Sequence, residues 1–227
     1  MPTLQNKTFH FSNISNIDNG TITPGACAPY NPDQSKCNVR NAINFCANER
    51  QVSDCRIDLD PTKTYSITKP ISISVGQTKN VGKGISRRRL FYTSPDIEPI
   101  HFNLQAAVIR GKPIEITLNG NGATVQGDKA SKYMLVAGQP RSAKSVFTLT
   151  LKGFNFKSFG SNEEPGGALH IQGVDFFVLQ DSTFTNCSAS SGGAIYVSGN
   201  GTVNKKASNT QIRNCSFSNN TAGYGGR

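Results

Sequence analysis

The side chains of this 227-residue sequence that can do chemistry are chiefly its six cysteines, three histidines and fourteen carboxylates. Cys27, Cys37, Cys46 and Cys55 crowd into one stretch, none of them in a C-x-x-C pair. His10, His101 and His170 are scattered, so neither a zinc site nor any other metal or cofactor is expected. Thiols that crowd without metal spacing read as disulfides made in an oxidising compartment, with all three pairings open. Cys187 and Cys215 fall three places after one Phe and two before another. They are therefore expected in different registers, as buried thiols filling a core.

Acid chemistry is poorly supplied. Glycoside hydrolysis takes two carboxylates across a groove. Glu115, Asp128, Glu163, Glu164, Asp175 and Asp181 are sparse and do not recur, so no stacked carboxylate pair emerges. Asp58 and Asp60 share one face of a short strand beside Arg56 and read as a solvated pair. No catalytic residue is assigned, and the sequence leans away from an enzyme.

Binding chemistry is better supplied. Lys79, Lys83, Arg87, Arg88 and Arg89, with Phe91 and Tyr92 behind them, form a candidate site for an anionic ligand. Guanidinium groups grip carboxylate or sulfate in bidentate fashion, and aromatic rings cover apolar ligand faces. Candidate N-glycosylation sites stand at Asn6, Asn13, Asn19, Asn186, Asn200, Asn214 and Asn219, as expected of an exported chain. The sequence Met1-Pro2-Thr3 runs straight into polar residues, so a removed leader is expected to have preceded it.

Composition limits what can position these groups. Hydrophobic residues make up 36%, charged residues 17%, and glycines number 22, which excludes a helical bundle and favours short strands and turns. No apolar run is long enough for a membrane helix. The net charge of +10 attracts anions such as acidic polysaccharide. No nucleic-acid-binding module is recognisable, so no specific nucleic-acid partner is expected.

Three regions follow. Residues 1–26 read as a polar arm or an edge strand, with alternation around Phe9 and Phe11. Residues 27–55 form a Cys-rich cap whose helix is expected from Pro32 to Gln51, started by Asp33 or Ser35. Val39, Ala42, Ile43 and Cys46 give that helix one apolar stripe. From residue 56 to 227 the period is two, interrupted by a basic insertion at about 76–95.

The strongest signal is an internal repeat. Leu149–Phe156, Phe177–Asn186 and Thr210–Asn220 align, and Gly166-Gly167-Ala168-Leu169, Gly192-Gly193-Ala194-Ile195 and Gly225-Gly226 follow them. The alignment sets His170 where Tyr196 stands, a packing or surface position, and follows Asp181 by Asn214 and Ser182 by Cys215. Each unit holds two or three strands too short to bury an apolar face alone. Stacking neighbours makes one continuous core. The expected fold is an all-β, right-handed parallel β-helix solenoid with a short N-terminal capping helix. An ambiguous Asn-Gly in the run Asn119-Gly120-Asn121-Gly122 is the only hairpin-like signal.

The G-G-A-[ILV] segments, with Phe184-Thr185-Asn186-Cys187 and Phe217-Ser218-Asn219-Asn220, resemble the F-x-x-N and G-G-A-[ILV] repeats of chlamydial polymorphic outer-membrane proteins. Cys37-Asn38-Val39-Arg40-Asn41-Ala42-Ile43 is similar to the C-S-L-R-E-A capping region of exported β-helix proteins. Ile116–Thr124 resembles the first-coil signature of pectin-lyase-like folds. The resemblance implies an exported or cell-surface module for adhesion or scaffolding. Its partners would be acidic polysaccharide or a cell-surface glycoprotein. The alternative it implies is a polysaccharide lyase or epimerase whose catalytic coils lie largely outside this chain. Because the sequence stops at Gly226-Arg227 directly after a Gly-Gly, it is expected to be the N-terminal piece of a longer protein. An end left open there invites self association.

Overall fold

Alternating apolar and polar residues do form short strands in the computed structural model. It describes residues 7–12, 14–16, 26–28, 37–48, 52–67, 71–74, 114–127, 135–138, 147–161, 165–172, 174–198 and 209–224. The first described strand is β1 (Lys7–Phe11). One circuit then comprises β2 (Val52–Asp58), β3 (Thr64–Ser66) and β4 (Ile71–Ser74). The next comprises β5 (Ile114–Asn119), β6 (Thr124–Gln126) and β7 (Leu135–Gly138). A third comprises β8 (Phe147–Lys152), β9 (Asn155–Lys157), β10 (Gly160–Ser161) and β11 (Leu169–Gln172). The fourth comprises β12 (Phe176–Gln180), β13 (Thr183–Thr185), β14 (Ser188–Ser191) and β15 (Ile195–Ser198). Last come β16 (Asn209–Arg213), β17 (Ser216–Ser218) and β18 (Thr221–Tyr224).

These strands stack as four sheets in which every pairing between named strands is parallel. The first sheet runs β1-β2-β5-β8-β12-β16, the second β3-β6-β9-β13-β17, the third β10-β14-β18 and the fourth β4-β7-β11-β15. Successive circuits therefore extend the same sheets in the same order, an arrangement compatible with a β-solenoid. The complete circuits hold four strands, more than the two or three expected, because the Gly-Gly segment is preceded by an additional short strand.

Inward positions carry the core. The ladder Tyr65, Val125, Phe156, Phe184, Phe217 follows the second sheet from rung to rung. Phe184 stacks on Phe156 at 4.7 Å between centroids and on Phe217 at 5.1 Å, matching the strand spacing of about 4.8 Å. Side chains with identical register thus meet their own kind.

Corners are sharp because single residues adopt left-handed backbone. Gly153, Asp181 and Asn214 (φ 69°, 50° and 51°) stack at one corner, and Ser158, Asn186 and Asn219 (φ 56°, 57° and 54°) at the next. Asn and Asp tolerate this conformation better than bulkier residues. Asn121 and Gly122 are also left-handed, and Ala123 N–H donates to Gly120 O at 2.8 Å. That Asn-Gly closes a turn, but it is no hairpin: it carries the chain from the first sheet to the second.

The helix, α1, spans Val39–Asn48, shorter than the expected 32–51. Asn38, rather than Asp33 or Ser35, caps it, since Asn38 Oδ1 accepts the Asn41 N–H at 2.9 Å. Asp33 and Ser35 lie outside the described residues. The stripe Val39, Ala42, Ile43 and Cys46 is buried as its spacing requires. Phe45 meets Phe9 and Phe11 edge-on at 5.1 and 5.4 Å. That contact fastens β1, which is the edge strand of the first sheet.

Candidate functional site

Two disulfides bracket the helix: Cys27–Cys37 just before it, and Cys46–Cys55 from its last turn to β2. The structure thereby selects one of the three pairings. They join the cap to the first rung, where α1 packs over β2 and β4. Cys187 is a buried free thiol whose pKa is raised by burial, and Cys215 is a half-buried one. They sit at different corners: the strand register sets Cys215 beside Ser182, and Cys187 beside Asn220. Asn220 bridges two rungs there, accepting the Cys187 N–H at 2.9 Å and donating to Phe184 O at 3.0 Å.

The densest charge among the described residues lies on the outer face of the first sheet near the cap. His10 is opposite Arg56 in the ladder. His10 Nε2 lies 2.5 Å from Asp58 Oδ2, and Arg56 Nε donates to Asp58 Oδ1 at 3.0 Å. Burial alone would raise the Asp58 pKa, but the bonds from Arg56 and His10 outweigh it and hold the carboxyl below its ordinary 3.8. The expected pairing of Asp58 with Asp60 on one strand face does not occur, because β2 ends at Asp58. Asp60 lies in the following turn, where Oδ1 accepts from Thr62 N–H at 2.9 Å and Lys63 stands 3.4 Å away.

A stacked carboxylate pair is nevertheless present. Asp54 is directly opposite Glu115 in the β2–β5 ladder, and both point outward, beside Arg56. The sequence hides it because residues 59–113 separate the two strands, and no local pattern fixes a register across such a gap. No group of three or more carboxylate, imidazole or thiol side chains able to hold a metal ion occurs among the described residues.

The remaining acids that can be followed tie one rung to the next. Asp175 Oδ2 accepts the Phe147 N–H at 2.8 Å, closing one rung on the next. Asp181 accepts from Asn214 Nδ2 at 3.1 Å, a pairing in the expected register, with Lys152 Nζ 3.9 Å away. His170 is opposite Tyr196, and their rings meet edge-on at 5.2 Å, a packing position as expected. Asp128, Glu163 and Glu164 lie outside the described residues.

Lys79, Lys83, Arg87, Arg88 and Arg89 also lie outside the described residues, as do Asn6, Asn13, Asn19 and Asn200. Asn186, Asn214 and Asn219 are exposed, and each occupies a left-handed corner. Turn chemistry by itself therefore accounts for these three asparagines.

The second sheet presents a continuous polar outer face. One row runs Thr64, Thr124, Asn155, Thr183, Ser216, and the other Ser66, Gln126, Lys157, Thr185, Ser218. Neighbours along the rows are tied together, Thr183 Oγ1 to Asn155 Oδ1 at 2.8 Å and Thr185 Oγ1 to Ser218 Oγ at 3.3 Å. The class these features define is an all-β protein of stacked parallel sheets with a disulfide-linked helical cap. Comparison with known protein families, curated proteins and solved structures finds no match to this chain. No described helix is long and apolar enough to cross a membrane. The two disulfides are compatible with an extracellular setting.

Proposed function

We propose that this protein is an exported, right-handed parallel β-helix of the pectin-lyase-like kind, serving as a cell-surface adhesion or scaffold module that binds anionic glycans. The right hand follows the general chirality of crossovers between parallel strands. The observation that carries the reading is the polar outer face of the second sheet. Its hydroxyl and amide side chains repeat with the rung spacing, in rows set by the parallel register. A rigid, periodic array of donors and acceptors suits a periodic polymer. The net charge of +10 favours an acidic one, and Lys79, Lys83, Arg87, Arg88 and Arg89 supply concentrated charge.

The test is binding to immobilised polygalacturonate against neutral dextran. The acidic polymer is expected to be retained at low salt and released by about 1 M salt, where screening is nearly complete. Replacing Arg87, Arg88 and Arg89 by Ser should weaken retention. Equal binding to both polymers, or binding indifferent to salt, sinks the reading. The Asp54–Glu115 pair beside Arg56 favours a second reading, a lyase or epimerase of acidic polysaccharide. That reading requires unsaturated or epimerised product from polygalacturonate with calcium, lost in Glu115→Gln.

A further inference from the structure

Charge is distributed unevenly over the outer faces of the described sheets. Asp54, Asp58 and Glu115 stand on the first sheet, where they would repel a polyanion. The two polar rows of the second sheet hold no carboxylate, and their one charged residue is Lys157, on the middle strand β9. Its side chain is exposed. Arg56, Lys63 and Lys152 stand beside Asp58, Asp60 and Asp181, whereas Lys157 makes no ion pair among the described residues.

The backbone and the neighbours of this lysine are fixed. Lys157 O accepts the Gly127 N–H at 3.0 Å, and the next residue, Ser158, donates its N–H to Thr185 O at 3.1 Å. Asn155, two residues back on the same outer face, is held at both ends of its amide. Its Nδ2 donates to Gly122 O at 2.7 Å, and its Oδ1 accepts from Thr183 Oγ1 at 2.8 Å. Phe156 between them is fully buried and stacked on Phe184. Lys157 is thus carried by a rigid rung, with Gln126 one rung below and Thr185 one rung above.

We infer that Lys157 is the anion-binding position of this face: its ammonium takes one carboxylate of a polyuronate chain laid along the stack, while Gln126 and Thr185 hydrogen-bond hydroxyls of the sugars on either side. The inference rests on the glycan reading and gives it a residue and a register. A polymer running along the stack meets a new rung about every 4.8 Å, close to the rise of one pyranose in an extended chain, so one sugar falls on each rung. Lysine is a compact charge with three donors on a flexible stem, and it meets a carboxylate without demanding bidentate geometry. A neutral glycan offers that charge no partner, so the selectivity for an acidic polymer lies in this one side chain.

The test titrates the full chain into an end-labelled galacturonate oligomer and into its methyl ester, followed by fluorescence anisotropy at low salt. Lys157→Gln should weaken binding of the free acid about three- to tenfold and make it less sensitive to salt. Lys157→Arg should bind like the parent. Lys152→Gln removes the same charge from the first sheet and should leave the affinity unchanged. The methyl ester should bind the parent and Lys157→Gln equally weakly. Urea midpoints matching the parent's show that each variant is folded. If the parent binds the acid but Lys157→Gln stays within about twofold of it, or Lys152→Gln weakens binding as much, the role of Lys157 is refuted and the glycan reading stands. If the parent itself binds the acid no more tightly than the ester, both are refuted.

Discussion

Phe184 is the place to test whether stacked rungs hold this protein together. It is fully buried between Phe156 and Phe217, with centroids 4.7 and 5.1 Å away. Phe184→Ala removes a buried aromatic and leaves a cavity, a change that costs about 3–5 kcal/mol. Part of that is the loss of two ring contacts, each about 0.5–1.5 kcal/mol beyond area burial. Phe217 occupies the same ladder position one rung on, but is 50% exposed and stacks on Phe184. Phe217→Ala should therefore cost about half as much, roughly 2 kcal/mol. The assay is urea denaturation of both variants and the parent, followed by far-ultraviolet circular dichroism at fixed pH and salt. A shifted midpoint with an unchanged slope reports stability. Equal losses, or a larger loss for Phe217→Ala, would refute the stacking order, because two residues of one type would then not differ by the layer above them.

Further outcomes follow from other parts of the structure. Replacing Cys46 and Cys55 together by Ser opens a loop of sequence separation 9 and should cost about 2.5–3 kcal/mol, read from thermal melts with and without reductant. Gly167→Ala would set its Cβ 2.0 Å from the backbone carbonyl oxygen of Gly193, which has no flexible end to give way, and should destabilise by about 1–3 kcal/mol in urea titration. Gly122→Ala meets nothing within 4 Å, so only its left-handed φ of 90° should matter, at about 1–2 kcal/mol. The folded-state pKa of Asp58 lies below its ordinary 3.8, so its contribution to stability is complete above the unfolded value and lost as pH falls through the folded one. Asp58→Asn should consequently flatten the acid side of the stability–pH curve below about pH 4, measured by midpoint at successive pH values.

Much of the architecture was legible because its causes are local. The two-residue period around Ile116–Leu118 and Leu149–Leu151 needs only alternation, and the four-position stripe of α1 needs only helical spacing. The Phe and Gly-Gly repeat was readable because identical rungs demand similar residues at identical registers. The exposed asparagines at 186, 214 and 219 are explained by left-handed corners, whose φ is a property of a single residue.

What sequence could not decide were the relations between segments far apart in the chain. Two disulfides were implied by four crowded cysteines, but which pairs form depends on where α1 lies over β2. Strand alternation assigned Asp58 and Asp60 to one face, whereas the turn that ends β2 at Asp58 separates them. Asp54 faces Glu115, and His10 reaches Asp58, only because β1, β2 and β5 are adjacent in one sheet. Periodicity names the face a side chain takes, since that is set by its own backbone. Its neighbour across the ladder is set by the register of another rung, and register is fixed only when the whole stack packs.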